Sequence, residues 1–164
     1  MRSSVNVKLL GNWPGATKAY ALMVPAIRRS VVNGQRRYAR RLVAKVKGHI
    51  MSQDLPWPPA SESKRGQILM IDTREYYSSI RYWQKNYELY VGVPKHFIHG
   101  RTGQPLWKVA TWQEKGTKNI PARALWGPSI DELGGVTQVS QEVTQEMFKT
   151  MAILGTGIFK TTKE

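Results

Sequence analysis

The residues best suited to acid–base or metal chemistry are three histidines, His49, His96 and His99. The spacing of His96 and His99 is able to offer two imidazoles to one ion, but zinc takes three or four protein ligands. No cysteine exists in the chain, and no carboxylate stands near the pair in the polar loop expected over residues 95–105. His49 falls at the border of an apolar helical stripe, where a packed or surface role is the ordinary one. Absence of cysteine also removes disulfides, thiol nucleophiles and thiolate metal sites, and fits a reducing cytosol. Carboxylates are sparse: Glu75, Glu88 and Glu114 stand apart, with no pairing that would suit acid–base work. Asp131 and Glu132 fall in the first turn of an expected helix, where the macrodipole favours them whatever the function. Gly100-Arg101-Thr102-Gly103 lacks the lysine and following helix of a phosphate loop. No serine sits in a nucleophile elbow. The inventory therefore predicts no catalysis, no bound metal and no cofactor.

Charge is the stronger signal. The 164 residues carry a formal net charge of +14. It is unevenly placed: residues 1–66 hold net +11 and residues 67–164 net +3. Such a field attracts polyanions or acidic protein surfaces. At 100° per residue, Arg29, Arg36, Arg40 and Lys47 lie within about 40° of one another on a helix. Arg37, Arg41 and Lys45 form a neighbouring stripe. A solvated face is the usual meaning of a charged stripe, but here nearly every charge is positive and most are arginine, which suits contacts to phosphate or carboxylate. Six tryptophans accompany this charge. Aromatics at strand positions are usually core or subunit interface, and Trp107, Trp112 and Trp126 are candidate interface residues.

Those residues need elements to position them. Residues 5–10 (VNVKLL) alternate like a short strand, and residues 11–15 form a turn cluster. A helix is expected from about residue 18 to 51, with Val31, Gln35, Tyr38, Ala39, Leu42, Val46 and Ile50 as its core stripe. Pro25 and Gly34 predict a kink or a late start. Three prolines exclude regular structure over residues 54–61. Asp72 or Thr73 offers a cap for a brief helical turn to Ser79, and residues 81–93 read as a hairpin. Residues 106–112 read as a further strand, and residues 120–128 as irregular. Ser129 and Glu132 resemble a capping box. After Gly134-Gly135, a last helix is expected over residues 136–154. The order predicts one α+β domain over residues 1–154, its long basic N-terminal helix and its C-terminal helix packed on a small antiparallel sheet. Residues 155–164 read as a tail that stays loose until docked. The N-terminus lacks the apolar run of a signal peptide, and no stretch approaches the ~20 apolar residues of a membrane span. A soluble protein made in the cytoplasm is expected.

Three segments resemble a known family. LPWPPAS (residues 55–61, including Trp57) precedes Lys64, as in a tryptophan-proline loop before a basic stretch. ILMIDTREYYSSI (residues 68–80) leads into a hairpin ending in Val91-Gly92. Glu114, Gly116 and Thr117 are followed by Ile120-Pro121-Ala122-Arg123 and then Gly127-Pro128-Ser129. In this order they resemble the virion-morphogenesis, or tail-completion, family of tailed bacteriophages, of the type of the Mu G protein. Arg74 departs from that pattern by replacing its usual glycine, and Ala124 by replacing a proline. The loop before Glu114 is also longer.

The resemblance implies a non-catalytic virion protein of the head–tail junction, a subunit of a ring of six or twelve copies around the DNA channel. Its implied partners are itself, the head-completion or connector proteins and the tail-terminator proteins, with genomic DNA a further candidate and no membrane. Pro121 would make residues 120–123 a rigid connector, with Glu114 or Asp131 as candidate partners of Arg123. Ring closure needs two different adhesive faces. The basic N-terminal half and the nearly balanced C-terminal half bearing Glu142 and Glu146 are the candidates. The alternative is a cytoplasmic nucleic-acid-binding protein that uses the basic helix.

Overall fold

In a computed structural model, residues 13–58 and 74–158 are described. The elements, in order, are helix α1 (Trp13–Ser52), helix α2 (Glu75–Ser79), strands β1 (Arg81–Lys85) and β2 (Glu88–Gly92), and helices α3 (Leu106–Lys115), α4 (Trp126–Glu132) and α5 (Gly135–Ile158). The fold is α+β and mostly helical. The sheet is one antiparallel hairpin in the register Arg81↔Gly92 to Lys85↔Glu88. Its two-residue turn places Asn86 at φ 56, a conformation asparagine tolerates better than most residues. The expected strand over residues 5–10 lies outside the described residues, as do Asp72 and Thr73.

α1 organises the rest. It starts at Trp13, so residues 13–15 of the expected turn cluster belong to the helix, with Pro14 in the first turn, where a missing N–H costs nothing. The helix continues through Pro25 and Gly34. Tyr38, Leu42, Val46 and Ile50 on its inner face join Tyr76, Ile80 and Leu125 in the core. That is the expected stripe, with Val31 and Gln35 only half-buried at its upper end. α5 runs against α1 along much of its length. The two backbones meet at Gly34: a Cβ there would lie 2.6 Å from the Cα of Val143. Gly34, which by helix propensity alone weakens the helix, is therefore what lets α5 seat. Just beyond it, the Ser30 and Thr150 hydroxyls share a 2.6 Å hydrogen bond.

Two local expectations are overturned. Residues 106–112 are helical, not a strand. Trp and Val suggested β structure, but Leu106, Val109 and Ala110 recur at helical spacing and turn inward, with Leu106 fully buried. Gly116 ends α3 at φ 76, its N–H donating to the Trp112 carbonyl at 2.8 Å. Ser129 caps nothing: it lies inside α4, and its hydroxyl donates to the Leu125 carbonyl at 2.6 Å. A carboxylate from another helix caps α4 instead, as described below. Gly134 and Gly135 interrupt the chain as expected, both at positive φ. α5 then extends to Ile158, so residues 155–158 of the expected tail are helical.

Substitutions at two α1 glycines should move stability in opposite directions. Gly34→Ala forces α1 and α5 apart and should cost about 1–3 kcal/mol, as overpacking does. Gly48 has no atom within 4 Å of its would-be Cβ, and Gly48→Ala should stabilise by about 0.5–1 kcal/mol through helix propensity. Urea unfolding of both variants measures the pair.

Candidate functional site

α1 carries nine Lys/Arg residues and no Asp or Glu. The fold divides its two basic stripes by role. The stripe of Arg37, Arg41 and Lys45 faces the C-terminal helices. Arg41 Nη1 donates to Glu142 at 2.6 Å. Arg37 pairs with Glu146 and lies 3.6 Å from Glu142. Lys45 Nζ meets Glu132 of α4 at 2.5 Å. Glu142 is 3 % exposed, and only guanidinium groups at this distance make its burial as an anion tolerable. Glu142 and Glu146 are therefore turned inward, so the two carboxylates expected on the adhesive face of the nearly balanced C-terminal half are paired within the chain.

The other stripe points away from α5. Arg29 and Arg36 are exposed, with no partner recorded among the described residues. Arg40 donates through Nε to the Tyr82 hydroxyl at 3.1 Å. Lys47 lies over the Tyr77 ring at 5.1 Å. Neither contact neutralises its cation. Arg29 to Lys47 thus form a line of four positive charges about 27 Å long. Arg28 extends this surface, stacked on Tyr87 of the hairpin turn at 5.5 Å.

At the far end of α1 a second cluster gathers. Trp57 Nε1 donates to the Ala124 carbonyl at 2.8 Å. Arg123 N–H donates to the Gln113 carbonyl at 2.6 Å, and Thr117 and Ile120 bond each other's backbone at 2.7 and 3.3 Å. Residues 113–123 therefore fold back as a tight loop. Gly116 is required in it: besides its positive φ, a Cβ there would lie 2.8 Å from Ala122 N. The Glu114 carboxylate accepts the N–H groups of Leu125, at 2.8 Å, and Trp126, at 3.2 Å. It caps α4, where the helix dipole favours an anion. Arg123 consequently pairs with neither Glu114 nor Asp131: buried, it reaches Gln113 Oε1 at 3.3 Å and leaves its Nε without a partner. Pro121 and Ala122 stay exposed on the loop's outer side. Burial, then the charge of Glu114, push the nearby Tyr76 hydroxyl well above its ordinary pKa.

The histidines do not converge. His96 lies against Phe97, while His99 Nδ1 accepts the Thr102 N–H at 3.3 Å. His49 is buried, its Nδ1 2.6 Å from Asp54 and its Nε2 3.4 Å from Glu132. The hydrogen bond through Nδ1 ties α1 to the chain after it, while Nε2 lies near Glu132 of α4 without a hydrogen bond. Among the described residues no cluster of three or more ligating side chains could hold a metal ion. Nor is any helix long and apolar enough to cross a membrane. Of the candidate interface tryptophans, Trp107 is exposed on α3, whereas Trp112 and Trp126 are half-buried and Trp126 packs against the core.

Two measurements follow. Glu142→Ala should cost about 1–2 kcal/mol in urea unfolding, less than a fully buried pair because both guanidiniums keep water, while Arg36→Gln stays within about 0.5 kcal/mol of the parent. The second concerns pH. The hydrogen bond to His49 holds Asp54 below the usual carboxylate range. Its contribution is therefore complete above the ordinary carboxylate pKa and lost as pH falls through the lowered folded value. Asp54→Asn should flatten the acid limb of a stability–pH profile.

Comparison with family models, with curated proteins and with solved structures matches this chain to none of them.

Proposed function

We propose that the chain is a non-catalytic structural protein of a tailed-bacteriophage head–tail junction, one subunit of a ring of six or twelve copies through which DNA passes. The observation that carries this reading is the convergence of the family-like segments. Trp57 of the first bonds to Ala124, and Glu114, Gly116 and Ile120-Pro121-Ala122-Arg123 of the third build one loop and cap. Residues that matter only as a linear pattern have no reason to share a hub.

Arg74 adds independent support. It stands where the resembled motif has glycine, and its backbone is left-handed at φ 59 and ψ −7. Glycine adopts that conformation freely, whereas an L side chain costs about 1–2 kcal/mol there. Arg74→Gly should therefore leave the fold unchanged or stabilise it by up to about 1 kcal/mol, as thermal unfolding would report.

The function expected of such a subunit needs no catalytic constellation. Its chemistry is that of surfaces: the cation line of Arg29, Arg36, Arg40 and Lys47, facing either channel DNA or acidic neighbours, and head-completion, connector and tail-terminator proteins at the ring's two rims. The alternative reading, a cytoplasmic nucleic-acid-binding protein, draws on the same cation line. A steep loss of DNA affinity with salt for the free chain, with the slope falling by about one for each cation removed, would favour it.

A reconstruction of virions carrying the labelled chain tests the junction reading: density at the neck in six or twelve copies is the expected result. Absence of the chain from the neck would end the proposal. Virions in which Arg36, Arg40 and Lys47 are all glutamine should retain folded protein, since exposed charges add little to stability, but should be impaired in assembly or DNA delivery. Wild-type titres would reduce the stripe to a solvated face.

A further inference from the structure

The hub leaves one guanidinium without an anion. Arg123 is 8 % exposed, and its side-chain hydrogen bond runs from Nη1 to Gln113 Oε1 at 3.3 Å. Nε is shut off from solvent with no acceptor. Among the described residues no carboxylate pairs with it. Elsewhere the chain treats its cations the other way. The Arg37 and Arg41 side chains are 42 % and 49 % exposed, so water could serve both, yet each has a carboxylate. Arg123, which water scarcely reaches, has none. A buried charge is costly unless paired, so the position calls for an anion that no described residue supplies.

The free edge of the guanidinium says which anion fits. Nη1 is the terminal nitrogen on the Cδ side, so with Nη1 engaged the unused donors are Nε–H and Nη2–H. These point the same way, at the spacing of the two oxygens of a carboxylate in a bidentate pair. Nη2 is not shut off as Nε is, and the edge opens to the surface through it. The surrounding surface holds cations and no competing carboxylate. Residues 115–130 contain Lys115, Lys118 and Arg123 and neither Asp nor Glu, and both lysines are exposed. The Glu114 carboxylate is turned to the N–H groups of α4. Pro121, Ala122 and Ala124, all exposed, are small enough to let another chain come close.

We propose that the Nε–Nη2 edge of Arg123 is a socket for the carboxylate of an Asp or Glu on an acidic partner protein that docks over residues 120–124. A recessed guanidinium is within reach of a carboxylate on a side-chain stem. The phosphates of a duplex, fixed on a broad convex surface, meet cations that project, as the line on α1 does. A second copy of the chain is a poor source of the carboxylate. It carries the same net +14, which repels. Its described carboxylates other than Asp131 are already engaged in hydrogen bonds or ion pairs. The socket is separate from the cation line and independent of the phage reading, so either can fail alone.

The test titrates the isotopically labelled full-length chain with a capped alanine peptide containing one Glu, and with the same peptide containing Gln in its place. The Arg123 Nε–H resonance, assigned by its disappearance in Arg123→Lys, should shift and saturate with the Glu peptide and stay still with the Gln peptide. Arg123→Lys keeps the charge but not the paired donors. Followed at the amides of Ala122 and Ala124, it should bind the Glu peptide about tenfold more weakly, while Arg36→Lys binds as wild type does. An unmoved Arg123 resonance would overturn the proposal whether or not Arg123→Lys folds. So would equal affinity of a folded Arg123→Lys. A short DNA duplex that moves this resonance where the Glu peptide does not would give the socket to phosphate and overturn it. A resonance that shifts with chain concentration, and no longer does so in Asp131→Asn, would place a second copy there and overturn it too. Glu62 and Asp72 lie outside the described residues; a wild-type resonance that the peptide leaves in place but Glu62→Gln or Asp72→Asn displaces would assign the edge to the chain's own acid, against the proposal.

Discussion

The approach of α5 to α1 at Gly34 determines what the rest of the molecule can do. With a Cβ at that position 2.6 Å from the Val143 backbone, only glycine lets the helices close without one of them shifting. Their closeness brings Glu142 within 2.6 Å of Arg41 and Glu146 against Arg37. Any separation of the two backbones would lengthen those ion pairs while leaving Glu142 poorly hydrated, so steric fit and electrostatics at this contact reinforce each other. Helix propensity opposes glycine here by up to about 1 kcal/mol, and the packing it permits outweighs that cost.

Pairing three α1 cations internally also changes the meaning of the net charge. Arg37, Arg41 and Lys45 hold the C-terminal helices in place, so they contribute to the fold and much less to the external field. What remains on α1 is a narrower line, two of whose four members are oriented by aromatic side chains, Arg40 by Tyr82 and Lys47 by Tyr77, with Arg28 beside the line held by Tyr87. A cation held by a phenol or a ring keeps its charge, unlike one held by a carboxylate. The hairpin and α2 thus position part of the outer surface without cancelling its charge.

The long helix and its core stripe were legible because Tyr38, Leu42, Val46 and Ile50 repeat at helical spacing with no competing pattern. The hairpin was legible for the corresponding reason, its Tyr, Trp and Val residues flanking a two-residue turn. Residues 106–112 misled because Trp107, Val109 and Trp112 have strand propensity, while the inward set of Leu106, Val109 and Ala110 carries the helical period. Partner choice was the least legible feature. Arg37 and Glu142 are over a hundred positions apart, and nothing local says which of two adjacent stripes will meet α5. Gly34 gave a signal that pointed the wrong way, since a glycine inside a helix reads as weakness until the approaching backbone is known. Glu114 was identified as a motif residue, but its role as the cap of α4 depends on residues 116–123 folding back. That reversal is written in Gly116, whose positive φ is not visible from spacing.

Taken along its axis, α1 is a rod of about 60 Å with three unlike zones. Its first half carries exposed Tyr20, Leu22 and Val24, its middle bears the cation line outward and the ion pairs inward, and its end carries His49 beside Asp54, just before the chain reaches Trp57 and the loop hub. A rod of one continuous helix transmits position between these zones with little give, because no flexible linker interrupts Trp13–Ser52. The hub at one end, carrying the exposed Pro121 and Ala122 of a loop braced by Glu114 and Trp57, is thereby held at a constant distance from the first turns of α1. The spacing of two separate contact surfaces by a rigid element is a mechanical requirement on any subunit that must join unlike partners above and below it, and the uninterrupted α1 satisfies it.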